Sequence, residues 1–197
     1  SFMYNVIKAE NITYLNKKKE KIVENFNIDL KSEEIVEIYG EIGTGKTAVL
    51  EILHGMLKAD KGKVEKNGKS AMVFKDIVIY QDLTVSENFE FFRKISRTEA
   101  KKVESIINSM GIEAFRNKRV EEIPEGIKRV VQIGCAMLGE FNIILMDEPF
   151  SAMDTKYQRV VEEKLKEMKL CGKTVVYTTN NSNQKSYYDR RLVLKSR

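Results

Sequence analysis

Gly40-Glu41-Ile42-Gly43-Thr44-Gly45-Lys46-Thr47 fits G-x-x-x-x-G-K-[ST] at every fixed position. Ordinary residue frequencies give that pattern by accident in about 1% of chains of this length. The flanks agree with it. Ile35 to Tyr39 is a short apolar strand that ends at Gly40, and Ala48, Val49, Ile52, Leu53 and Leu57 follow at helical spacing. Glycines let such a loop curl until several N–H groups face one anion. The N-terminus of the following helix adds partial positive charge at the same place. Lys46 can reach the β- and γ-phosphates of a nucleotide, and the Thr47 hydroxyl can ligate Mg²⁺.

A second stretch supports the first. Phe141-Asn142-Ile143-Ile144-Leu145-Met146-Asp147-Glu148 is an apolar strand that ends in two carboxylates. Asp147 is placed to hold the Mg²⁺ shell, and Glu148, one residue on, to orient or deprotonate a water. Paired acids at a strand end are often only solubilising caps. The phosphate loop upstream takes most of the weight from that alternative.

Working outward, Val6 to Tyr14 and Ile22 to Leu30 alternate as half-buried strands do. Asp60 to Lys63 and Asn67-Gly68 read as turns, the second suited to a tight hairpin. Leu83 to Arg93 and Ala100 to Met110 read as helices, with Ser86 and Thr98 as N-caps. Pro124-Glu125-Gly126 interrupts the pattern before a helix from about Lys128 to Leu138. Thr155 to Met168 is an amphipathic helix ended by Cys171-Gly172, and Thr174 to Thr178 and Arg191 to Leu194 close the chain as strands. Strands alternating with helices predict an α/β fold on a mainly parallel sheet, with ligands at the strands' carboxyl ends.

Composition narrows the partners. The 197 residues suffice for one compact domain with its own core. No apolar run approaches the roughly 18 to 20 residues of a spanning helix, and no secretory signal is visible. Work at a membrane would therefore need another chain to supply the span. Ser1 and Phe2 ahead of Met3 read as additions to a natural start. The net charge of +5 is spread among glutamates, and Lys17-Lys18-Lys19 reads as a solvated turn, so no nucleic acid is expected. Cys135 and Cys171 lack metal spacing and read as reduced core thiols. His54, the single histidine, lies on the helix after the loop and reads as structural or surface rather than catalytic.

The whole set of motifs resembles the ATP-binding cassette (ABC) family over almost the full chain. The carriers are Glu34 to Tyr39, the phosphate loop, Ile52 to Gly62, Leu83 to Asn88, Met146-Asp147-Glu148-Pro149-Phe150-Ser151-Ala152-Met153-Asp154, and Asp189 to Leu194. The resemblance implies a P-loop NTPase (RecA-like) core with an N-terminal antiparallel β-subdomain and a small helical subdomain. The core would be about 1–81 and 124–197 of a single cassette, and the helical part about 82–123. It implies ATP and Mg²⁺ as cofactors. Gly40, Gly43, Thr44, Gly45, Lys46, Thr47 and Ala48 would hold the nucleotide, Thr47 and Asp147 the metal, and Glu148 would be catalytic. Tyr14 is the candidate for stacking on adenine, with a strand-core role as the alternative. The family's cassettes dimerise head to tail, each ATP meeting the signature loop of the other copy, with Asp154 in the D-loop. Closure drives a membrane permease, which would place the chain in the cytoplasm on the inner face of the cell membrane.

Three positions depart from the family pattern. The signature, usually L-S-G-G-Q, aligns with Ile123-Pro124-Glu125-Gly126-Ile127, so the hydroxyl donor becomes Pro124 and an approaching glycine becomes Glu125. A carboxylate facing phosphate charge at about 5 Å costs about 3 kcal/mol at an effective dielectric near 20. Lys75 stands where the Q-loop glutamine is usual, and Asn180 where the switch histidine is usual; asparagine can hydrogen-bond but cannot carry a proton. The half-site that grips ATP is intact, and the half completed in trans is damaged. Two functions follow as expectations: the ATPase subunit of a transporter, slow by itself, or an ATP-dependent dimerisation switch with little hydrolysis, in a homodimer or with a second cassette. A P-loop kinase or GTPase is disfavoured, because Asn117-Lys118-Arg119-Val120 lacks the aspartate of N-K-x-D.

Overall fold

The computed structural model describes residues 3–195; Ser1 and Phe2, read above as additions, lie outside the described residues. Two compact units share the chain. One runs to Met72 and takes in Phe141–Glu148 and the chain from Lys166, and the other comprises Val73–Glu140 and Pro149–Leu165.

The first unit carries two sheets. Strands β1 (Asn5–Leu15), β2 (Lys21–Lys31) and β4 (Lys61–Lys66) form an antiparallel sheet in the order β2-β1-β4. Strands β3 (Ile35–Gly40), β5 (Ser70–Val73), β6 (Ile143–Met146), β7 (Thr174–Thr179) and β8 (Arg190–Leu194) form the other, in the order β5-β6-β7-β3-β8. Pairs β3–β7, β3–β8 and β6–β7 are parallel, as the strand–helix alternation predicts. Helix α1 (Lys46–His54) buries Ala48, Val49, Leu50, Ile52 and Leu53. They meet alternate residues of the parallel strands (Val36, Ile38, Ile143, Leu145, Val176) and the inner face of the antiparallel sheet (Ile7, Ile12, Phe26, Leu30) in one core. Strands buried on both faces read as continuous apolar runs, which is why β6 was legible.

Two turn readings need correction. Of the turn expected over Asp60 to Lys63, all but Asp60 lies in strand β4 (Lys61–Lys66), which pairs with β1 in an edge position where alternating lysines are tolerated. Gly62 sits there at φ 92°, and a Cβ on it would lie 2.5 Å from the carbonyl oxygens of Glu10 and Asn11. Asn67-Gly68 is not a tight hairpin, since β4 and β5, on either side of it, belong to different sheets.

In the second unit, α2 (Val85–Ser96) packs on α3 (Ala100–Ser109) and α4 (Glu125–Ala136), with short 3-10 turns at Glu113–Phe115 and Val120–Glu122. The N-caps differ from expectation. Thr84, not Ser86, caps α2 through a reciprocal box: its Oγ1 accepts the Glu87 N–H at 3.1 Å, and Glu87 Oε2 accepts the Thr84 N–H at 2.7 Å. Thr98 instead accepts the Gly139 N–H at 2.9 Å, and Glu99 stands at the start of α3. Helix α4 begins at Glu125, three residues before the expected start, with Pro124 as its N-cap. Proline lacks only a donor that a helix start does not use. Helix α5 (Thr155–Leu170) crosses the boundary between the units. Cys135 is buried, and burial pushes its thiol pKa up; Cys171 is exposed, so only one of the two is a core thiol. His54 is half-buried with Nδ1 2.8 Å from Ser70 Oγ, and burial, then Lys66, lowers its pKa. Among the described residues no helix is long and apolar enough to cross a membrane.

Candidate nucleotide site

The loop between β3 and α1 is built by its glycines. Gly43 and Gly45 adopt φ 83° and 90°, values that L side chains rarely take. A Cβ on Gly40 would lie 2.4 Å from Thr44 Oγ1, and one on Gly45 would lie 2.7 Å from the Ile22 carbonyl oxygen. Thr44 Oγ1 in turn donates to the Glu41 carbonyl at 2.9 Å. Lys46 is 5% exposed, and its ammonium donates to the carbonyls of Gly40 at 2.7 Å and Glu41 at 2.8 Å. The cation is therefore pinned inside the loop, and Ala48 is buried in the first turn behind it.

Asp147 leaves the end of β6 almost fully buried, with its Oδ2 2.6 Å from Thr47 Oγ1. Its Oδ1 accepts from Thr178 Oγ1 at 2.6 Å, and the same Thr178 oxygen accepts the Glu148 N–H at 2.9 Å. Glu148 is 8% exposed and sits at φ 48°. A buried ammonium, a helix N-terminus, a hydroxyl and a carboxylate suit a nucleotide phosphate and a hard cation that takes oxygen ligands. Among the described residues no cluster of three or more His, Cys, Asp or Glu could hold a metal alone. The Thr47 hydroxyl and the Asp147 carboxylate would suit Mg²⁺, which is commonly held by one or two carboxylates beside phosphate oxygens.

The first unit thus joins Gly40, Gly43, Thr44, Gly45, Lys46, Thr47, Ala48, Asp147 and Glu148. Tyr14 pairs with Val23 across the antiparallel sheet and packs, partly buried, against the core. Asn180 is exposed just past the end of β7. A groove of about 640 Å³ opens between β2 and β8; Thr44 lines it, but Lys46 and Asp147 do not.

The remaining candidates belong to the second unit. Pro124 and Glu125 are exposed at the head of α4, and Glu125 pairs with Lys128 at 3.4 Å. Arg129, the other nearby cation, points elsewhere: its Nη2 donates to the carbonyl of Lys75 at 2.5 Å. Gly126 is held against the D-loop, where a Cβ would lie 2.7 Å from the Ala152 carbonyl oxygen. Asp154 Oδ1 accepts the Tyr157 N–H at 3.0 Å, as an N-cap does for the start of α5. Sequence reasoning missed Thr178 and Gln132. Gln132 Nε2 donates to the carbonyls of Phe74 and Asp76 at 2.8 and 3.0 Å, and its Oε1 accepts the Val78 N–H at 2.7 Å. The available signal was a polar residue inside an apolar stretch: Thr178 after Val175-Val176-Tyr177, and Gln132 between Val131 and Ile133.

The parallel sheet and the loop at the end of β3 define a P-loop NTPase fold. A match to the ABC transporter family covers residues 23–151, and the chain belongs to that family. It is 30% identical over 179 residues to a spermidine/putrescine import ATP-binding protein PotA of Clostridioides difficile, covering 83% of this chain and 52% of the relative. It is 30% identical over 186 residues to a taurine import ATP-binding protein TauB of Pelagibacter ubique, covering 86% and 69%. The chain thus spans about half the length of the first of these relatives. Among solved structures, a dimeric ATP-binding cassette in a post-hydrolysis state bound to ADP and Pi superposes with a TM-score of 0.82 at 26% identity, covering 95% of this chain and 94% of the other. The ATP-binding subunit of an ABC transporter superposes at 0.84 with 19% identity, covering 96% and 85%, a likeness of fold.

Proposed function

We propose that this chain binds and hydrolyses Mg·ATP and powers a separate transmembrane permease through ATP-driven dimerisation. The observation that carries the reading is the 2.6 Å contact of Thr47 Oγ1 with Asp147 Oδ2 beside the buried Lys46. Lys46 and the loop bind and orient the phosphates. Thr47 and Asp147 would hold Mg²⁺, which draws charge from the phosphate oxygens. Glu148 accepts the proton of a water whose oxygen bonds to the γ-phosphorus. The bridging bond breaks, and its electron pair leaves with ADP. Steady-state turnover of the purified chain, set against Glu148→Gln, tests the reading; equal rates would refute it.

The chain acts as one cassette, with its core at about 1–81 and 124–197 and a helical part at about 82–123. Tyr14 is the candidate for adenine, and Lys75 and Asn180 for the γ-phosphate side. Pro124, Glu125 and Gly126 of one cassette, with Asp154, meet the ATP of the other, in a homodimer or with a second ABC cassette. The chain works in the cytoplasm on the inner face of the cell membrane. The relatives' names, as ATP-binding proteins of import systems, support this placement.

Pro124 and Glu125 favour a second reading, a dimerisation switch with little intrinsic hydrolysis. Pro124 offers no hydroxyl, and Glu125 brings a carboxylate that Lys128 only partly offsets at 3.4 Å. Pro124→Ser with Glu125→Gly, in a Glu148→Gln background, should raise the dimer fraction in Mg·ATP, and the gain should shrink above about 0.5 M salt. Sedimentation of parent and repaired chains checks this. A parent that already dimerises tightly and turns over fast would show the signature to be functional as written.

Permease docking falls on the aromatic surface of the second unit. Phe89 is fully buried, Phe92 is half-buried, and Phe91 is exposed. Phe91 lies edge-on to Tyr80 at 4.8 Å, with Val78 and Ile95 exposed in the same unit. Phe91→Asp should cut recovery of the chain with native membranes about tenfold, the magnitude of a buried aromatic anchor. Unchanged recovery, or a parent recovered only as a free monomer, would refute docking here.

A further inference from the structure

We propose that Thr178 is a positioning residue of the phosphate site, whose single hydroxyl both aims the Asp147 carboxylate at Thr47 and holds the backbone of Glu148. The proposal rests on the ATPase reading above. Thr178 is fully buried, and its Oγ1 lies 2.9 Å from the Glu148 nitrogen and 2.6 Å from Asp147 Oδ1. A backbone N–H can only donate, so Oγ1 accepts from Glu148. A carboxylate can only accept, so the one hydroxyl proton goes to Asp147. The proton order is thereby set from Glu148 through Thr178 to Asp147.

The other carboxylate oxygen obeys the same logic. Thr47 Oγ1 must give its proton to Asp147 Oδ2 at 2.6 Å, which leaves the Thr47 lone pairs available to ligate a cation. Asp147 is therefore gripped on both sides by hydroxyls, one from α1 and one from β7. Release of the β7 grip lets the carboxylate rotate away from Thr47. It also loosens Glu148, whose φ of 48° is one that non-glycine residues keep only when their surroundings hold it. The register of β6 against β7 brings this about: Met146 pairs with Tyr177, so the next residues, Asp147 and Thr178, meet at the strand ends.

Valine matches threonine in shape but carries a methyl where the hydroxyl stood, which is not a neutral swap, and Thr178→Val is therefore the direct test in the full chain. The readouts are calorimetric ATP affinity with Mg²⁺ and with EDTA, turnover, and thermal melting. Thr178→Val should keep the EDTA affinity within about twofold, while the gain in affinity on adding Mg²⁺ and kcat each fall about tenfold or more, the usual cost of removing an outer-shell partner. Thr178→Ser should recover both. A folded Thr178→Val with the parental Mg²⁺ gain and parental kcat overturns the proposal. So does an equal loss of affinity in EDTA and in Mg²⁺, because that is the mark of a merely structural role. If Thr178→Val does not fold, Thr178→Cys, a weaker donor of similar size, should show both losses at about threefold; parental values in that variant refute the proposal. A parent chain that neither binds nor hydrolyses Mg·ATP would bring down the ATPase reading itself, and this assignment with it.

Discussion

Glu148→Gln should lower ATP turnover at least about 100-fold, the lower end of what a positioned general base contributes, and leave Mg·ATP affinity within about threefold. The amide keeps the volume of a residue that is only 8% exposed. It cannot accept the proton of an attacking water at neutral pH. The bond from the Glu148 N–H to Thr178 uses the backbone and survives the substitution, so the φ of 48° is still held. Binding and chemistry should therefore separate. Phosphate release in a single turnover measures one, and calorimetry the other. A fall of less than about fivefold would remove Glu148 as the base and favour the switch reading.

Lys46→Ala should weaken Mg·ATP binding at least tenfold, about 1.4 kcal/mol. The point charge is lost from the β/γ-phosphate position. The carbonyls of Gly40 and Glu41 also lose the donor that reaches them at 2.7 and 2.8 Å, where the lysine is 5% exposed. The Glu41 carbonyl keeps Thr44 Oγ1 at 2.9 Å, but the Gly40 carbonyl loses a buried bond to a charged donor, and such a bond contributes about 1.5–3 kcal/mol. The variant should therefore melt below the parent as well as bind weakly. Lys46→Arg should not repair it, because a planar guanidinium cannot reproduce a compact ammonium inside this loop. Equal affinity for variant and parent would remove Lys46 from the site.

The loop, the apolar strand that ends in Asp147-Glu148 and the alternation of strands with helices were legible because each is local. Gly43 and Gly45 mark left-handed positions by their type alone, and Ile143–Met146 reads as a buried strand from four consecutive apolar residues. Boundaries were less legible where one interaction chooses among neighbours. Thr84 caps α2 in place of Ser86, two residues on, because Glu87 answers Thr84 at box spacing. Helix α4 begins at Glu125 because Pro124 can precede a helix as readily as break one.

The amino-acid sequence by itself determined that this protein carries a glycine-built loop with a lysine and a threonine between a strand and a helix, and an aspartate and a glutamate at the end of an apolar strand. Those properties reside in residue types at fixed short spacing. Only the tertiary structure decided that the lysine-rich Lys61–Lys66 is a strand, because pairing with β1 rather than hydrophobic period makes it one. Only the structure joined Thr178 to Asp147 across 31 residues, and Gln132 to Phe74 across 58. Such contacts depend on which strand or helix lies beside which. No local periodicity encodes that choice, since it is made by burying the two faces of a sheet together.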